Sequence, residues 1–188
     1  MTATTFPHDV DELIRRQQAG ERIRYLFFWG HQPAPDGSVG RGCLSQWWPS
    51  PFTVDGVTYA TAEHWMMAGK ARLFGDDAAL AEVLSATHPS QAKAAGRRVR
   101  GFDDETWAAH RMELVTAGNV AKFASDPELT RYLLSTGDRV LVEASPRDHI
   151  WGIGLAATDP AAEDPTRWRG TNLLGFALMA ARAVLAGR

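Results

Sequence analysis

Glu63 and Lys70 stand seven residues apart with Met66 and Met67 between them, the i, i+3, i+4, i+7 spacing that puts four side chains on one helix face. A carboxylate and an ammonium two turns apart, separated by thioethers, make a wall able to hold a charged ligand. The carboxylate could stabilise positive charge or activate water, and a desolvated lysine amine could anchor phosphate or attack an electrophilic carbon. The same spacing suits a partly buried amphipathic helix whose Glu and Lys reach to opposite edges. For Glu63 the helix dipole in the first turn favours the ionised form, while desolvation near Trp65 and the Met pair opposes it. A second stretch, Asp148-His-Ile-Trp151-Gly152-Ile-Gly154, sets a carboxylate beside an indole plate and two glycines that let backbone approach a ligand. As a bare pattern it equally fits a turn packed on a Trp. Arg97 offers a guanidinium that can fork onto phosphate, or it belongs with Arg98 and Arg100 to a solvated basic face.

Positioning these groups requires elements that the local sequence can specify. Phe52-Thr-Val54 and Val57-Thr-Tyr59 flank Asp55-Gly56, a pair suited to a type I′ hairpin turn. Thr61 is placed to cap a helix over Ala62 to Leu73. Upstream, Asp9 to Ala19 reads as a helix stopped by Gly20, making residues 1–22 an N-terminal helical extension, and Ile23 to Trp29 reads as a strand. The turn formers from Gly30 to Gly42 predict a loop that is either a rim over a pocket or a surface excursion. Downstream, helices are predicted over Asp76 to Ala86, from a Ser90 cap through Val99, from Asp103 or Asp104 to about Phe123, and from Asp126-Pro127 to near Gly137. Trp107 falls on the inward stripe of the longest of these. Arg139 to Ala144 reads as a strand leading into the 148–154 loop, and Asn172 as the cap of a final helix ending at Ala186. These elements describe an α+β protein, one mainly helical domain over residues 1–188 packed around a small β-sheet.

With 188 residues and 45% hydrophobic content, the chain can bury a core without disulfide or metal support. The formal net charge of −2 supplies no overall basic field for a nucleic-acid backbone. Cys43 is the only cysteine, which excludes an internal disulfide and a multi-thiolate metal site. The six His show no HxxxH pairing, and no Walker loop, GxGxxG or GxSxG is present, so neither a required metal nor a cofactor is expected. No secretory h-region opens the chain and Arg182 interrupts the apolar C-terminal run, so a cytoplasmic location without membrane association is expected.

Several blocks follow one another in a fixed order: Thr61-Ala-Glu63-His-Trp65-Met-Met-Ala-Gly-Lys70-Ala71, Gly96-Arg97, Asn119 with Lys122-Phe123, Glu143, the 148–154 stretch, and Gly170-Thr-Asn172-Leu-Leu-Gly175. In this ordered set, from about residue 25 to about residue 185, the chain resembles the NADAR/YbiA-like family, whose members are N-glycosidases. The resemblance implies cleavage through an oxocarbenium-like transition state, with Glu63, Lys70 and Asp148 as catalytic residues. It implies substrate contacts from Trp65, Arg97, Trp107, Trp151, Gly152 and Asn172. The implied substrate is a small phosphorylated N-riboside, a ribosylaminopyrimidine phosphate intermediate of riboflavin biosynthesis. Two alternatives accompany it. One is removal of ADP-ribose from guanine in nucleic acid, the only reading with a nucleic-acid partner; the other is a non-catalytic module that binds ADP-ribose or NAD. The presence of both Glu63 and Lys70 argues against a pure binder. Gln46 stands where the family often carries Asn, and the loop from Gly30 to Gly42 is longer than in compact members; both differences bear on substrate choice.

The acidic balance generates one expectation directly. Affinity for unmodified duplex DNA should be weak and lost at moderate salt, because few phosphates can be neutralised. A fluorescence-anisotropy titration at two salt concentrations checks it, and tight salt-resistant binding would contradict it.

Overall fold

A computed structural model describes residues 6–187; residues 1–5 and 188, the ends of the expected domain and of its 1–22 extension, lie outside the described residues. Among the described residues the elements run α1 (Val10–Gln18), β1 (Tyr25–Phe28), β2 (Phe52–Val54), β3 (Val57–Tyr59), α2 (Ala62–Leu73), α3 (Asp77–Ser85), α4 (Pro89–Arg97), α5 (Asp104–Ala124), α6 (Pro127–Ser135), β4 (Val140–Glu143) and α7 (Leu173–Leu185). One-turn 3-10 segments occupy Arg41–Leu44 and Pro165–Arg167. The class is α+β with a helical majority, and the strands form two separate pairs. The β2–β3 pair is a local antiparallel hairpin, whereas β1 and β4 pair in parallel from Tyr25↔Val140 to Phe28↔Glu143. A parallel pair needs a crossover connection, and here the crossover contains the hairpin and five helices.

Local chemistry accounts for most boundaries. Asp55 and Gly56 both take positive φ, 50° and 77°, as a type I′ turn demands. The Thr61 side chain accepts the His64 backbone N–H and meets His64 Nδ1 at 2.8 Å, while His64 Nε2 lies 3.1 Å from the Ala86 carbonyl. Because a carbonyl can only accept, Nε2 carries the proton and Nδ1 accepts from the Thr61 hydroxyl, tying the start of α2 to the end of α3. Helix α4 begins two residues earlier than its sequence signal suggests: His88, not Ser90, is the cap, Pro89 is the first helical residue, and Gln91 completes a capping box with His88. Of the basic cluster, Arg98 pairs with Glu82, and Arg100 reaches Asp76 at 2.7 Å, holding that carboxyl well below the usual range.

Helix α7 lies across β4 and α5, and the junction depends on Asn172. Its expected role as a side-chain cap is not what the structure shows. Asn172 is fully buried in the left-handed region, φ 52°, with Oδ1 accepting the Glu143 N–H at 3.0 Å and Nδ2 donating to the Leu141 carbonyl at 2.9 Å. The amide therefore continues the β4 ladder where a third strand would otherwise be needed. No helix among the described residues is long and apolar enough to cross a membrane.

Gly175 is one place where this packing excludes any side chain, since a Cβ there would overlap the Leu141 carbonyl oxygen and the Asn172 amide. Gly175→Ala should therefore destabilise the fold by about 1–3 kcal/mol, despite the better helix propensity of Ala. Urea denaturation checks this, and a midpoint at or above wild type would contradict it.

Candidate functional site

Glu63 occupies the first turn of α2 and is only 2% exposed. Its backbone N–H donates to the Gln46 carbonyl at 3.0 Å, which fixes the start of the helix against the segment after the first 3-10 turn. Its Oε1 is buried without a hydrogen-bond partner. Burial pushes its pKa up to about 7, against the pull of Lys93, a hydrogen bond from the Trp47 side chain and the Arg97 charge, with the Asp148 charge adding to the rise.

Glu143 is the last residue of β4 and brings a second carboxyl to the same place. Burial pushes its pKa up to about 8; the Asp148 charge adds to this, Lys93 opposes it, and the Glu63 charge reinforces it. Its Oε2 is also buried without a partner. Two carboxyls that feel each other and the same ammonium titrate as a pair, and near neutral pH they hold a proton between them. One member is then an acid and the other a base, the division of labour that acid–base cleavage requires.

The cations come from α4. A Cβ at Gly96 would overlap Met67 Sδ, so glycine lets α4 lie directly on the thioether face of α2. Lys93 and Arg97, four residues apart on α4, act on Glu63 through their charge. Trp47 is half-buried between two imidazoles, with ring centroids 5.8 Å from His31 and 5.8 Å from His88.

The loop after β4 closes the other side. Asp148 Oδ1 accepts the backbone N–H groups of Ile150 at 2.9 Å and Trp151 at 2.7 Å, and its carbonyl accepts the Gly154 N–H at 3.1 Å. At Gly152 a Cβ would stand 2.8 Å from the Glu143 carbonyl oxygen and 3.1 Å from that of Asp148, so only glycine lets the loop fold back onto the strand end. Asp148 thus shapes the loop by hydrogen bonds and acts on both buried carboxyls through its charge. Among the described residues no three His, Cys, Asp or Glu side chains gather as a metal cage.

Of the residues singled out from sequence, the structure brings Glu63, Asp148, Arg97, Trp151 and Gly152 to one region. It does not bring Lys70 there. The Lys70 ammonium sits 3.9 Å from the Phe102 ring centroid and 5.8 Å from that of Trp107, with Asp104 nearby, a separate cation–aromatic contact. Seven residues of helix separate it from Glu63 by about 10 Å along the axis, and the ammonium whose charge acts on both carboxyls is that of Lys93, on the covering helix. Trp107 stays with Lys70. Trp65 is part of the scaffold, its indole N–H donating to the Leu114 carbonyl at 2.8 Å and its ring edge-on to Tyr59 at 5.0 Å. Asn172 likewise uses both ends of its amide on β4 backbone. Sequence reasoning named Glu143 among the blocks of the resemblance without giving it a role, and left out Lys93 and Trp47. A lone Glu ending the apolar run Val140-Leu-Val-Glu143 is a usable signal for the first. Lys93 carries none, because its role depends on which face α4 turns to α2.

Comparison with known proteins follows the same geometry. Residues 27–186 match the NADAR domain. The chain is 41% identical over 167 residues to N-glycosidase R617 of Acanthamoeba polyphaga mimivirus, an alignment covering 86% of this chain and 96% of that one. It is 34% identical over 142 residues to the riboflavin biosynthesis protein PYRR, chloroplastic, of Zea mays, covering 71% of this chain and 21% of that protein. Among solved structures, the NMR structure of the E. coli protein YbiA matches with a TM-score of 0.69 at 27% identity, covering 88% of this chain and 87% of that one.

The raised carboxyl values carry a stability consequence whose sign is fixed. Both groups titrate above their ordinary value of 4.5, so between that pH and about 8 the unfolded chain releases protons the folded one keeps. Stability therefore falls as pH rises through this window. Glu143→Gln removes the titration while keeping the shape, so its melting temperature should be close to wild type at about pH 5 and above it at about pH 8. Paired thermal melts at the two pH values test this; a difference independent of pH would contradict the burial of Glu143.

Proposed function

The chain belongs to the NADAR-domain family, and on that premise we propose that it is an N-glycosidase whose reacting groups are the buried carboxyls of Glu63 and Glu143. The single observation that carries this reading is a pair of buried carboxyls, each with an oxygen that has no hydrogen-bond partner, both acted on by the Lys93 charge. The lower of the two, Glu63, ionises first and faces the anomeric carbon, where it stabilises the positive charge that develops as the C–N bond lengthens. Glu143 keeps its proton and delivers it to the departing nitrogen. Water then adds to the anomeric carbon, a carboxylate takes its proton, and the products are the free sugar and the free amine. Trp47 and Trp151 offer flat walls for the base, and Lys93 with Arg97 offers charge for a phosphate.

Within this class the substrate is a ribosylaminopyrimidine phosphate of riboflavin biosynthesis. Support comes from the name of the maize relative and from the cations beside the carboxyls. Cytoplasmic residence, expected from the sequence, belongs to the same reading. A second reading, removal of ADP-ribose from guanine in nucleic acid, is favoured by one observation. Trp29 follows the last residue of β1, whose register partner is Glu143, and is 63% exposed. A solvent-facing indole one residue beyond the site suits stacking on a base that extends out of the pocket. A module that only binds ADP-ribose or NAD has no use for two carboxyls held away from water at a cost in stability.

Offering purified protein both substrate classes and comparing kcat/KM separates the first two readings, and turnover of neither would overturn the proposal. On the accepted substrate, kcat/KM should trace a bell with apparent limbs near 7 and 8, because Glu63 must be ionised and Glu143 protonated. Glu63→Gln should lower kcat by about 10²-fold or more, and Glu143→Gln should remove the alkaline limb. Lys93→Met should raise KM, whereas Lys70→Met should leave both parameters near wild type. Loss of turnover in Lys70→Met alone would return the reacting amine to α2.

A further inference from the structure

The reaction as drawn leaves one block of the sequence without a task, Asn119 with Lys122-Phe123 on α5. Asn119 and Lys122 lie one turn apart on the same helix face, and both are fully buried. Lys122 Nζ donates to the carbonyls of Cys43 at 2.6 Å and Ser45 at 2.8 Å. Asn119 Nδ2 donates to Gln46 Oε1 at 3.1 Å and to the Val115 carbonyl at 2.9 Å. From the held segment two connections run on to the site: the Gln46 carbonyl accepts the Glu63 N–H at 3.0 Å, and the side chain of the next residue, Trp47, favours the ionised Glu63 carboxyl. Trp47 is itself braced by its backbone N–H, which donates to Ser45 Oγ at 3.1 Å.

We propose that Lys122, with Asn119, is a positioning residue for the reaction: it pins the Cys43–Gln46 segment so that Trp47 is held against the Glu63 carboxyl. A lysine buried beside carbonyls is an expensive way to fill space, since Met would occupy a similar volume without desolvating an amine. What the amine supplies and Met cannot is two directed hydrogen bonds to consecutive parts of one turn. Burial lowers its pKa to about 7, with Cys43 the titratable group that opposes the shift. Either protonation state has the two N–H donors those carbonyls need. The proposal rests on the assignment of Glu63 to the reaction, and its test reads Glu63 independently of turnover.

The measurement is a pH titration of the Glu63 carboxyl by carbon NMR in protein labelled at glutamate, the resonance being assigned with Glu63→Gln. Trp47→Phe keeps a ring but removes the N–H, and should raise the Glu63 midpoint by about one unit, the size expected for a lost hydrogen bond to a charged group. Lys122→Met should raise it in the same direction, and the double variant should show no further rise, because both act through one contact. In turnover assays Lys122→Met should lower kcat about fivefold at pH 7, narrowing to about twofold near pH 8 where Glu143 sets the alkaline limb, with KM unchanged. A Lys122→Met protein that melts earlier but titrates at the wild-type midpoint would overturn the proposal, as would an unshifted Trp47→Phe. If Lys122→Met does not fold, Asn119→Ala, which frees the Gln46 side chain and leaves Lys122 in place, carries the same expectation. Wild-type protein without turnover on any N-glycoside would overturn the functional reading alone, since the carboxyl midpoints stand or fall separately.

Discussion

Water exclusion around two acidic side chains is the constraint on which the rest of this molecule depends. Glu63 and Glu143 come from a helix start and a strand end that are far apart in sequence, and each carries an oxygen with no protein partner. In water both groups would be ionised at neutral pH and neither could act as an acid. Three pieces of the fold keep water away: α4 laid on Met67 through Gly96, the 148–154 loop folded onto the strand end through Gly152, and the 43–47 segment held from α5. Core packing of α5, α7 and β4 offsets the cost of leaving those oxygens unsatisfied.

What the sequence discloses of this arrangement is its local part. The Asp55-Gly56 turn, the Thr61 cap and the Asp126-Pro127 start act within a few residues of themselves, so their signals are sufficient. Long-range roles are a different matter. Asn before an apolar helix is an ordinary cap signal, yet Asn172 turns its amide to a strand that ends nearly thirty residues earlier. Helical spacing correctly put Glu63 and Lys70 on a shared face of α2, but spacing does not say which other helix covers each end of that face. Coverage decides: α4 brings Lys93 to the Glu63 end, while the turn before α5 brings Phe102 to the Lys70 end.

The tryptophans make the same point through a single residue type. Trp65 and Trp168 each donate the indole N–H to a main-chain carbonyl and serve as packing. Trp107 lies under the Lys70 ammonium, Trp47 faces Glu63, and Trp29 stands in solvent. Nothing in the identity of the residue distinguishes a wall of the core from a wall of the site. The distinction arises from whether the indole N–H finds a fixed carbonyl or a titrating carboxyl.

The parallel pairing of β1 with β4 has a consequence for how the chain is made. As the polypeptide leaves the ribosome, Tyr25–Phe28 emerges early and finds no strand to pair with until Val140–Glu143 has followed. The Glu143 N–H waits longer still, for the side chain of Asn172. Throughout that interval the growing chain carries an apolar strand with an open edge, the feature most prone to pair with the wrong neighbour. A nascent chain stalled before Asn172 would therefore lack the hydrogen bond that holds Glu143 in place.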